Sequence, residues 1–138
     1  MRFIKTSLSG PWLIEPECHT DTRGFFARSC CDREFDEHGL WHKWVQFNIS
    51  YNESKGTLRG LHFSLPTVHE VKLVRCTSGA IFDVIVDIRV GSPDFGKSII
   101  ICLDSVLHNM VYTLVILGIK TCICLVFFQH RFESLLLK

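Results

Sequence analysis

Two side chains near the middle of the chain could carry out acid–base chemistry together. His62 lies in the short apolar segment Leu58–Phe63, and Lys72 lies inside the next apolar segment, Val71–Thr77. Burying a lysine in such a segment is costly unless its charge has a partner or a task. A histidine base beside a buried cation suits the removal of a proton next to a carbonyl and the stabilisation of the resulting oxyanion. A core histidine with satisfied hydrogen bonds and a lysine that reaches solvent are the structural alternatives.

Composition limits the classes of partner. The chain has 138 residues, which predicts a single domain, and its 15 basic and 14 acidic residues give a net charge of +1. This balance gives no reason to expect a nucleic acid or a membrane surface as a partner. A small anionic ligand remains compatible, because a local basic cluster is enough to bind it.

The cysteines and the first residues bear on the compartment. The seven cysteines include no CxxC pair, so we expect free, buried thiols in a reducing cytosol rather than a zinc site. The first twelve residues, MRFIKTSLSGPW, contain no long apolar stretch typical of a secretory signal. We therefore expect a cytoplasmic protein.

The first hundred residues are typical of a β protein. Short apolar segments separated by turn residues predict strands and favour a sandwich or barrel. These segments are Pro11–Glu15, Phe25–Ser29, Trp44–Ser50, Leu58–Phe63, Val71–Thr77, Ala80–Val90 and Ser98–Leu103. Only Cys31–Gly39 is predicted to be helical, with Gly39 as its stop.

The last third is more apolar and has a different pattern. Met110–Phe128 carries a single charge, Lys120, so hydropathy alone makes it a marginal transmembrane candidate. The central lysine and the β-branched residues favour two buried strands, roughly Val111–Ile119 and Thr121–Phe128.

A series of motifs in order resembles one enzyme family. The motifs are Leu13-Ile-Glu-Pro16, Asp21-x-Arg-Gly-x-Phe26, Gln46-x-Asn48-x-Ser50, Gly56-x-Leu-Arg-Gly-Leu-His62, Lys72-Leu-Val-Arg75, Gly79, Phe82-Asp-Val-x-Val-Asp-x-Arg89 and Gly91-Ser-Pro-x-Phe-Gly96. Together they resemble the dTDP-4-dehydrorhamnose 3,5-epimerases over about residues 1–104. The resemblance implies a single cupin-like jelly-roll domain over residues 1–138. It also implies a nucleotide-sugar substrate, no metal or organic cofactor, and a homodimer in which N-terminal strands cross to the partner.

The resemblance assigns roles to particular residues. His62 would take a proton from C5 and then C3 of a 4-keto sugar, and Lys72 would hold the enolate oxygen and contact the substrate. Arg23 and Arg59 would bind the diphosphate, for which the planar guanidinium is suited. Strict strand alternation would separate Arg59 from His62, so the prediction includes a bulge or close backbone approach at Gly60. The last two substrate-binding candidates, which lie two apart on one strand face, are Gln46 and Asn48.

The chain also departs from the family pattern. The family's tyrosine acid, its thymine-stacking tyrosine and its supporting carboxylate have no counterpart in Ser105–Lys138, and Arg28 replaces a substrate-binding glutamate. We therefore expect a jelly roll that is incomplete at the C-terminus, with a divergent apolar tail and weak or absent turnover. The alternative is an inactive relative that at most binds a nucleotide sugar.

Two further groups of polar residues have alternative interpretations. Asp83 and Asp87 share a strand face with Ile81 and Ile85 and could orient a histidine, but pairing with Arg89 is the favoured interpretation. A metal-binding cupin module using His62, His69 and Glu70 is a weaker alternative, because the usual His-x-His pair is missing. We therefore predict no bound metal.

Overall fold

The computed structural model describes residues 1–63, 70–107, 110–115, 121–125 and 134–137. These residues form short strands and one short helix. The strands are β1 (Arg2–Lys5), β2 (Trp12–Glu15), β3 (Cys18–Asp21), β4 (Gly24–Ala27), β5 (Phe47–Ser50), β6 (Arg59–His62), β7 (Glu70–Arg75), β8 (Ala80–Asp87), β9 (Ser98–Asp104), β10 (Met110–Val115), β11 (Thr121–Leu125) and β12 (Ser134–Leu137). Helix α1 spans Asp32–Glu37.

Two four-stranded antiparallel sheets form the body of the domain. The first sheet has the strand order β1-β2-β10-β7, and the second has the order β6-β11-β8-β9. There are also two two-stranded sheets, one formed by β5 and β12 and the other by the β3–β4 hairpin. The predicted all-β class is therefore confirmed.

The space between the two sheets holds the first core. Val74 and Val111 of the first sheet pack with Ile81, Ile85 and Leu103 of the second. The contacting set includes Ile81 and Ile85, so the face of β8 that also carries Asp83 and Asp87 is turned inward. The other face of β8 is wholly apolar in sequence, yet it is partly open to solvent.

The second core lies on the opposite side of the first sheet, beneath α1. Phe35 of the helix packs against Ile14, Leu73 and Tyr112, and its ring lies 5.8 Å from that of Tyr112. Alternation along β7 explains the two cores, because Leu73 points to this side while Val74 points between the sheets. The predicted helix exists, although it is shorter than Cys31–Gly39.

Several strand boundaries differ from the predicted ones. Segment Ala80–Val90 stops being a strand at Asp87, because the carboxylate of Asp87 accepts hydrogen bonds from the Arg89 backbone N–H and the Ser92 hydroxyl. Strand β5 begins only at Phe47 rather than Trp44. Strands β1, β3 and β12 were not predicted, because each has only four residues and β3 is polar and exposed.

The apolar tail contributes strands to both sheets. Strand β10 pairs with β2 and β7, and β11 pairs with β6 and β8. This confirms strands in both predicted segments, although the described strands are shorter than predicted. Among the described residues, no helix is long and apolar enough to cross a membrane.

The cysteine prediction is partly wrong. The described cysteines are free, but Cys18 and Cys102 are exposed, and Cys30 and Cys31 are half-buried. Cys76 alone among them is buried, and this burial raises its pKa to about 11. The exposed thiols lie on the β3–β4 hairpin and on β9, where no second layer covers them.

Candidate active site

Lys72 lies on the face of β7 that borders the space between the sheets. Val74, two residues along the strand, belongs to the core there, and Thr113 pairs directly with Lys72 from β10. Lys72 itself is half-buried. Strand alternation places Lys72 on the same face of β7 as Val74, which is the inward position predicted from the sequence.

Asp83 faces Lys72 from the second sheet. Its side chain is fully buried, with 0% exposure. Burial raises the pKa of Asp83 to about 7, and the positive charge of Lys72 opposes that rise. A carboxyl group with such a pKa exchanges its proton near neutral pH.

A bulge in β6 brings His62 and Arg59 to one face. His62 is opposite Ile123 and Arg59 is opposite Leu125, so three steps along β6 match two along β11. The extra residue allows both side-chain positions to share a face, as predicted from the sequence. Gly60 lies inside this segment with φ of 107°, a conformation that glycine adopts readily.

The register of β11 identifies that face as the inner one. Ile123 is opposite Ile85 and Leu125 is opposite Asp83 on the next strand, β8. Residues directly opposite in antiparallel strands project to the same side of the sheet. The register therefore gives His62 and Arg59 positions on the face that carries Asp83 and Ile85, although all four residues of β6 are exposed to solvent.

Arg59 is held in place by the loop before β6. Its Nε donates to Asn52 Oδ1 at 2.6 Å, and its Nη2 donates to the Tyr51 carbonyl at 3.3 Å. Asn52 is itself buried. The guanidinium is thus anchored by two neutral acceptors.

Gln46 and Asn48 lie together at the start of β5. The Gln46 amide donates to Asn48 Oδ1 at 2.9 Å. Asn48 and Ser50 are half-buried, whereas Phe47 and Ile49 are exposed. Asn48 and Ser50 therefore lie on the more sheltered face of β5, whereas Gln46, which precedes the strand, is exposed.

The chain does not bring Arg23 to the face that carries Asp83 and Ile85. It lies in the turn of the β3–β4 hairpin, a separate two-stranded sheet, and its side chain is 88% exposed. Its guanidinium pairs with Asp21 of the same turn at 2.5 Å. Arg28, at the position of the family's glutamate, pairs with Glu34 of α1 at 2.6 Å.

The remaining polar candidates have clear outcomes. Asp87 pairs with Arg89 at 2.6 Å, which confirms the favoured interpretation for that residue. In the described ranges, no group of three His, Cys, Asp or Glu side chains could hold a metal ion. His69 lies outside the described residues, as does the side chain of Glu70.

Thr113 had no predicted role, yet the structure buries it directly opposite Lys72. Asp83 was noticed, but its isolation from hydrogen-bond donors was not foreseen. Two features of the sequence could have indicated this cluster. Asp83 lies between Ile81 and Ile85 on one strand face, and Lys72 lies in an equally apolar strand. Both carry charge where strand patterning predicts a core.

The two facing antiparallel sheets define a class of protein, the cupin-like jelly roll. A family model described as dTDP-4-dehydrorhamnose 3,5-epimerase matches residues 5–116. That match covers most of the chain, and the chain belongs to this family. It also extends through β10, beyond the point near Asp104 where the sequence motifs stop.

Individual relatives agree with this assignment. The dTDP-4-dehydrorhamnose 3,5-epimerase of Methanothermobacter thermautotrophicus is 48% identical over 96 residues, which are 70% of this chain and 51% of that protein. The crystal structure of the Elizabethkingia anophelis enzyme superposes with a TM-score of 0.88 and 33% identity, covering 99% of this chain and 73% of that one. The Legionella pneumophila epimerase, solved with dTDP-4-keto-L-rhamnose, gives a TM-score of 0.86 and 30% identity over 99% of this chain and 70% of that one.

These neighbours confirm the predicted jelly-roll fold. The chain spans about half the length of the curated relatives that it matches.

Proposed function

We propose that this chain enolises a dTDP-4-dehydro-6-deoxy sugar and thereby supports 3,5-epimerisation in L-rhamnose biosynthesis. The observation that carries the proposal is the bulge in β6. It gives Arg59 and His62 positions on one inner face, opposite Lys72 of the other sheet. The proposed base His62, the cation Lys72 and the anion-binding Arg59 would then border the same space between the sheets.

The proposed chemistry begins with His62 as the base. The C4 ketone acidifies the hydrogens on C5 and C3, so an imidazole base can remove them. As the C–H bond breaks, its electron pair forms the C=C bond of an enolate, and negative charge moves to the C4 oxygen. The Lys72 ammonium holds that oxygen, and no metal or organic cofactor is required.

Substrate binding would use the polar residues around this centre. Arg59 would bind the diphosphate, since Asn52 and the Tyr51 carbonyl already fix its guanidinium. Asn48 of β5 and Gln46, which is hydrogen-bonded to it, would donate or accept hydrogen bonds to the substrate. Lys72 would contact the ketone oxygen before as well as after proton removal.

Arg23 would act from a second copy of the chain. Its hairpin stands apart from both large sheets, and Phe26 on that hairpin is 75% exposed. A homodimer in which the hairpin crosses to the partner would cover this apolar surface and deliver Arg23 to the partner's site. Light scattering combined with size exclusion tests this, since a strictly monomeric protein would exclude this route for Arg23.

Inversion also needs an acid on the opposite face of the sugar. The chain has two tyrosines. Tyr112 faces the second core, with its hydroxyl on the Trp41 carbonyl, and Tyr51 is half-exposed. General-acid help is typically worth about 10²–10⁴ in rate. We therefore propose proton exchange at a sugar carbon as the main activity of this chain, with slow inversion in the cytoplasm.

The direct test is deuterium exchange. The protein is incubated with the dTDP-4-keto sugar in D₂O, and the C3 and C5 protons are followed by NMR. The proposal predicts exchange that is abolished in His62→Asn and reduced at least about 10²-fold in Lys72→Met, because each variant loses one half of the enolisation.

Matched controls separate chemistry from general damage. His38→Asn and Lys43→Met change the same residue types at exposed positions away from the inner face and from the β3–β4 hairpin, and both should exchange like the parent. Nucleotide-sugar binding without any exchange would contradict enolisation and support the inactive relative. Exchange that survives in His62→Asn would remove the assigned base.

A further inference from the structure

The core between the sheets contains three polar side chains that apolar packing alone does not explain. Asp83, Lys72 and Thr113 lie among Val74, Val111 and the isoleucines of β8. Buried polar groups usually have hydrogen-bond partners, and those that lack them call for an explanation. Together, Asp83, Lys72 and Thr113 are called the inner polar cluster below.

Asp83 is the most unusual member of the cluster. It has 0% exposure, and neither carboxylate oxygen has a hydrogen-bond partner among the described residues. Its electrostatic partner is Lys72, whose positive charge favours the ionised carboxylate. A carboxylate kept at such a position destabilises the fold unless it serves a neighbouring charge.

Thr113 stands on the other side of the lysine. It is directly opposite Lys72 in the β7–β10 pair, where Cβ atoms are about 4.5–5.5 Å apart. Its Oγ1 is buried and has no partner among the described residues. A valine would fill the same volume without a polar atom, so the hydroxyl is the feature that needs a role.

We propose that Asp83 and Thr113 are positioning residues, which seat the Lys72 ammonium on the inner face so that one of its N–H groups points at the substrate oxygen. An ammonium group has three donors and no acceptor. The Asp83 carboxylate and the Thr113 oxygen, which have no hydrogen-bond partner among the described residues, would accept two of them in the substrate complex and direct the third into the pocket. This inference rests on the proposed enolisation and extends it to residues that do not touch the substrate.

Other titratable groups face the same space and could influence Asp83. Besides Lys72, there is Cys76, which directly follows strand β7 and whose raised pKa keeps it neutral. Strand β6 places His62 and Arg59 on this face, and β8 itself adds Asp87, whose charge is engaged by Arg89. The inward positions of β9, which are Ile99, Ile101 and Leu103, carry no charge.

The first experiment tests the cluster without using activity. The Asp83 carboxyl carbon is labelled with ¹³C, and its NMR shift is followed against pH in the parent, in Lys72→Met and in Lys43→Met. Removing an adjacent opposite charge should raise the carboxyl pKa by about one pH unit or more. The exposed Lys43 should leave the titration unchanged, and an equal titration in the Lys72 variant would overturn the proposal.

The second experiment asks whether the cluster positions the lysine for chemistry. Asp83→Asn and Thr113→Val are compared with the parent by deuterium exchange at several substrate concentrations. A misplaced catalytic group typically loses up to about 10²-fold in rate. We expect Asp83→Asn to lower kcat about 10- to 100-fold and Thr113→Val about 3- to 10-fold, with KM within about twofold.

The two experiments fail separately. If the parent shows no exchange, the proposed function is wrong, while the NMR titration still decides whether Asp83 and Lys72 form a pair. If exchange occurs and Asp83→Asn lowers only stability, measured by thermal unfolding, Asp83 has a structural role and the positioning proposal fails. Retention of the parent kcat in the folded Thr113→Val variant would remove Thr113 from the cluster's function.

Discussion

Asp83 and Asp87 lie on the same face of the same strand, yet their surroundings differ completely. Both are almost fully buried. Asp87, at the end of β8, accepts hydrogen bonds from the side chains of Arg89 and Ser92. Asp83, in the middle of β8, has no such donor among the described residues and faces Lys72 from a distance.

The pKa values of the two carboxyls show what this difference means. For Asp87, burial favours the neutral form, but the hydrogen bonds from Arg89 and Ser92 outweigh it and lower the pKa. For Asp83, burial dominates and raises the pKa to about 7. A buried carboxylate that stabilises a turn is fully bonded, whereas one left underbonded beside a lysine indicates a site that has another purpose.

The largest expected effect is the loss of a pH dependence in Asp83→Asn. Because the Asp83 pKa is about 7 in the fold and 3.8 as a model value, the native state keeps a proton that the unfolded chain releases. Its contribution to the free energy of unfolding therefore falls as pH rises from about 4 to 7, by on the order of 4 kcal/mol. In Asp83→Asn, this contribution is absent, so the decline in the free energy of unfolding between about pH 4 and pH 7 should be lost.

Urea unfolding of both proteins at pH 4, 5, 6, 7 and 8 measures this difference. The two curves should separate with rising pH, and the variant should become the more stable protein above pH 7. Parallel profiles would mean that Asp83 is not shielded from water as the structure shows.

Asp87→Asn should change the free energy of unfolding less than Asp83→Asn does, and with the opposite pH dependence. The charged hydrogen bonds to Arg89 and Ser92 would be lost, which should lower the free energy of unfolding by about 2–3 kcal/mol at pH 7. The Asp87 pKa is lowered in the fold, so its stabilisation is present above pH 4 and disappears as pH falls below that value. The cost of the variant should therefore shrink in acid, as urea unfolding at pH 3 and pH 7 would show.

Ser92→Ala isolates one donor to Asp87. The Ser92 hydroxyl donates to Asp87 Oδ2 at 2.6 Å, and removing a hydrogen bond to a charged group typically costs about 1.5 kcal/mol or somewhat more. Arg89 remains in place, so the effect should stay below that of Asp87→Asn. Thermal unfolding of the double variant with Asp87→Asn provides the check, because the second change should add little once the carboxylate is gone.

The sequence predicted much of this architecture from patterns within single segments. Apolar β-branched stretches located β2, β7, β8 and β9, and the motif around Arg59 and His62 required the bulge that β6 has. Asp87 was predicted to pair with Arg89 because the two are close in sequence. These features are local, so spacing along the chain was enough to find them.

The features that sequence reasoning missed depend on distant strands. Which face of β8 turns inward is decided by Val74 and Val111, so the burial of Asp83 could not be derived from β8 itself. Thr113 gained interest only because register places it opposite Lys72. Arg23 was expected at the site, but the hairpin that carries it is separate from both large sheets.

Tyr112→Phe should have the smallest effect on stability and none on chemistry. The Tyr112 hydroxyl donates to the Trp41 carbonyl at 3.0 Å, and its ring packs in the second core beside Phe35. Losing this hydrogen bond should lower the free energy of unfolding by about 1 kcal/mol. Burial raises the pKa of Tyr112 to about 12, so the effect should be the same from pH 5 to pH 9. Because Tyr112 pairs with Leu73 and points away from Lys72, deuterium exchange at the sugar should match the parent. Exchange that falls with this variant would place Tyr112 in the pocket and reverse the assignment of the two faces of β7.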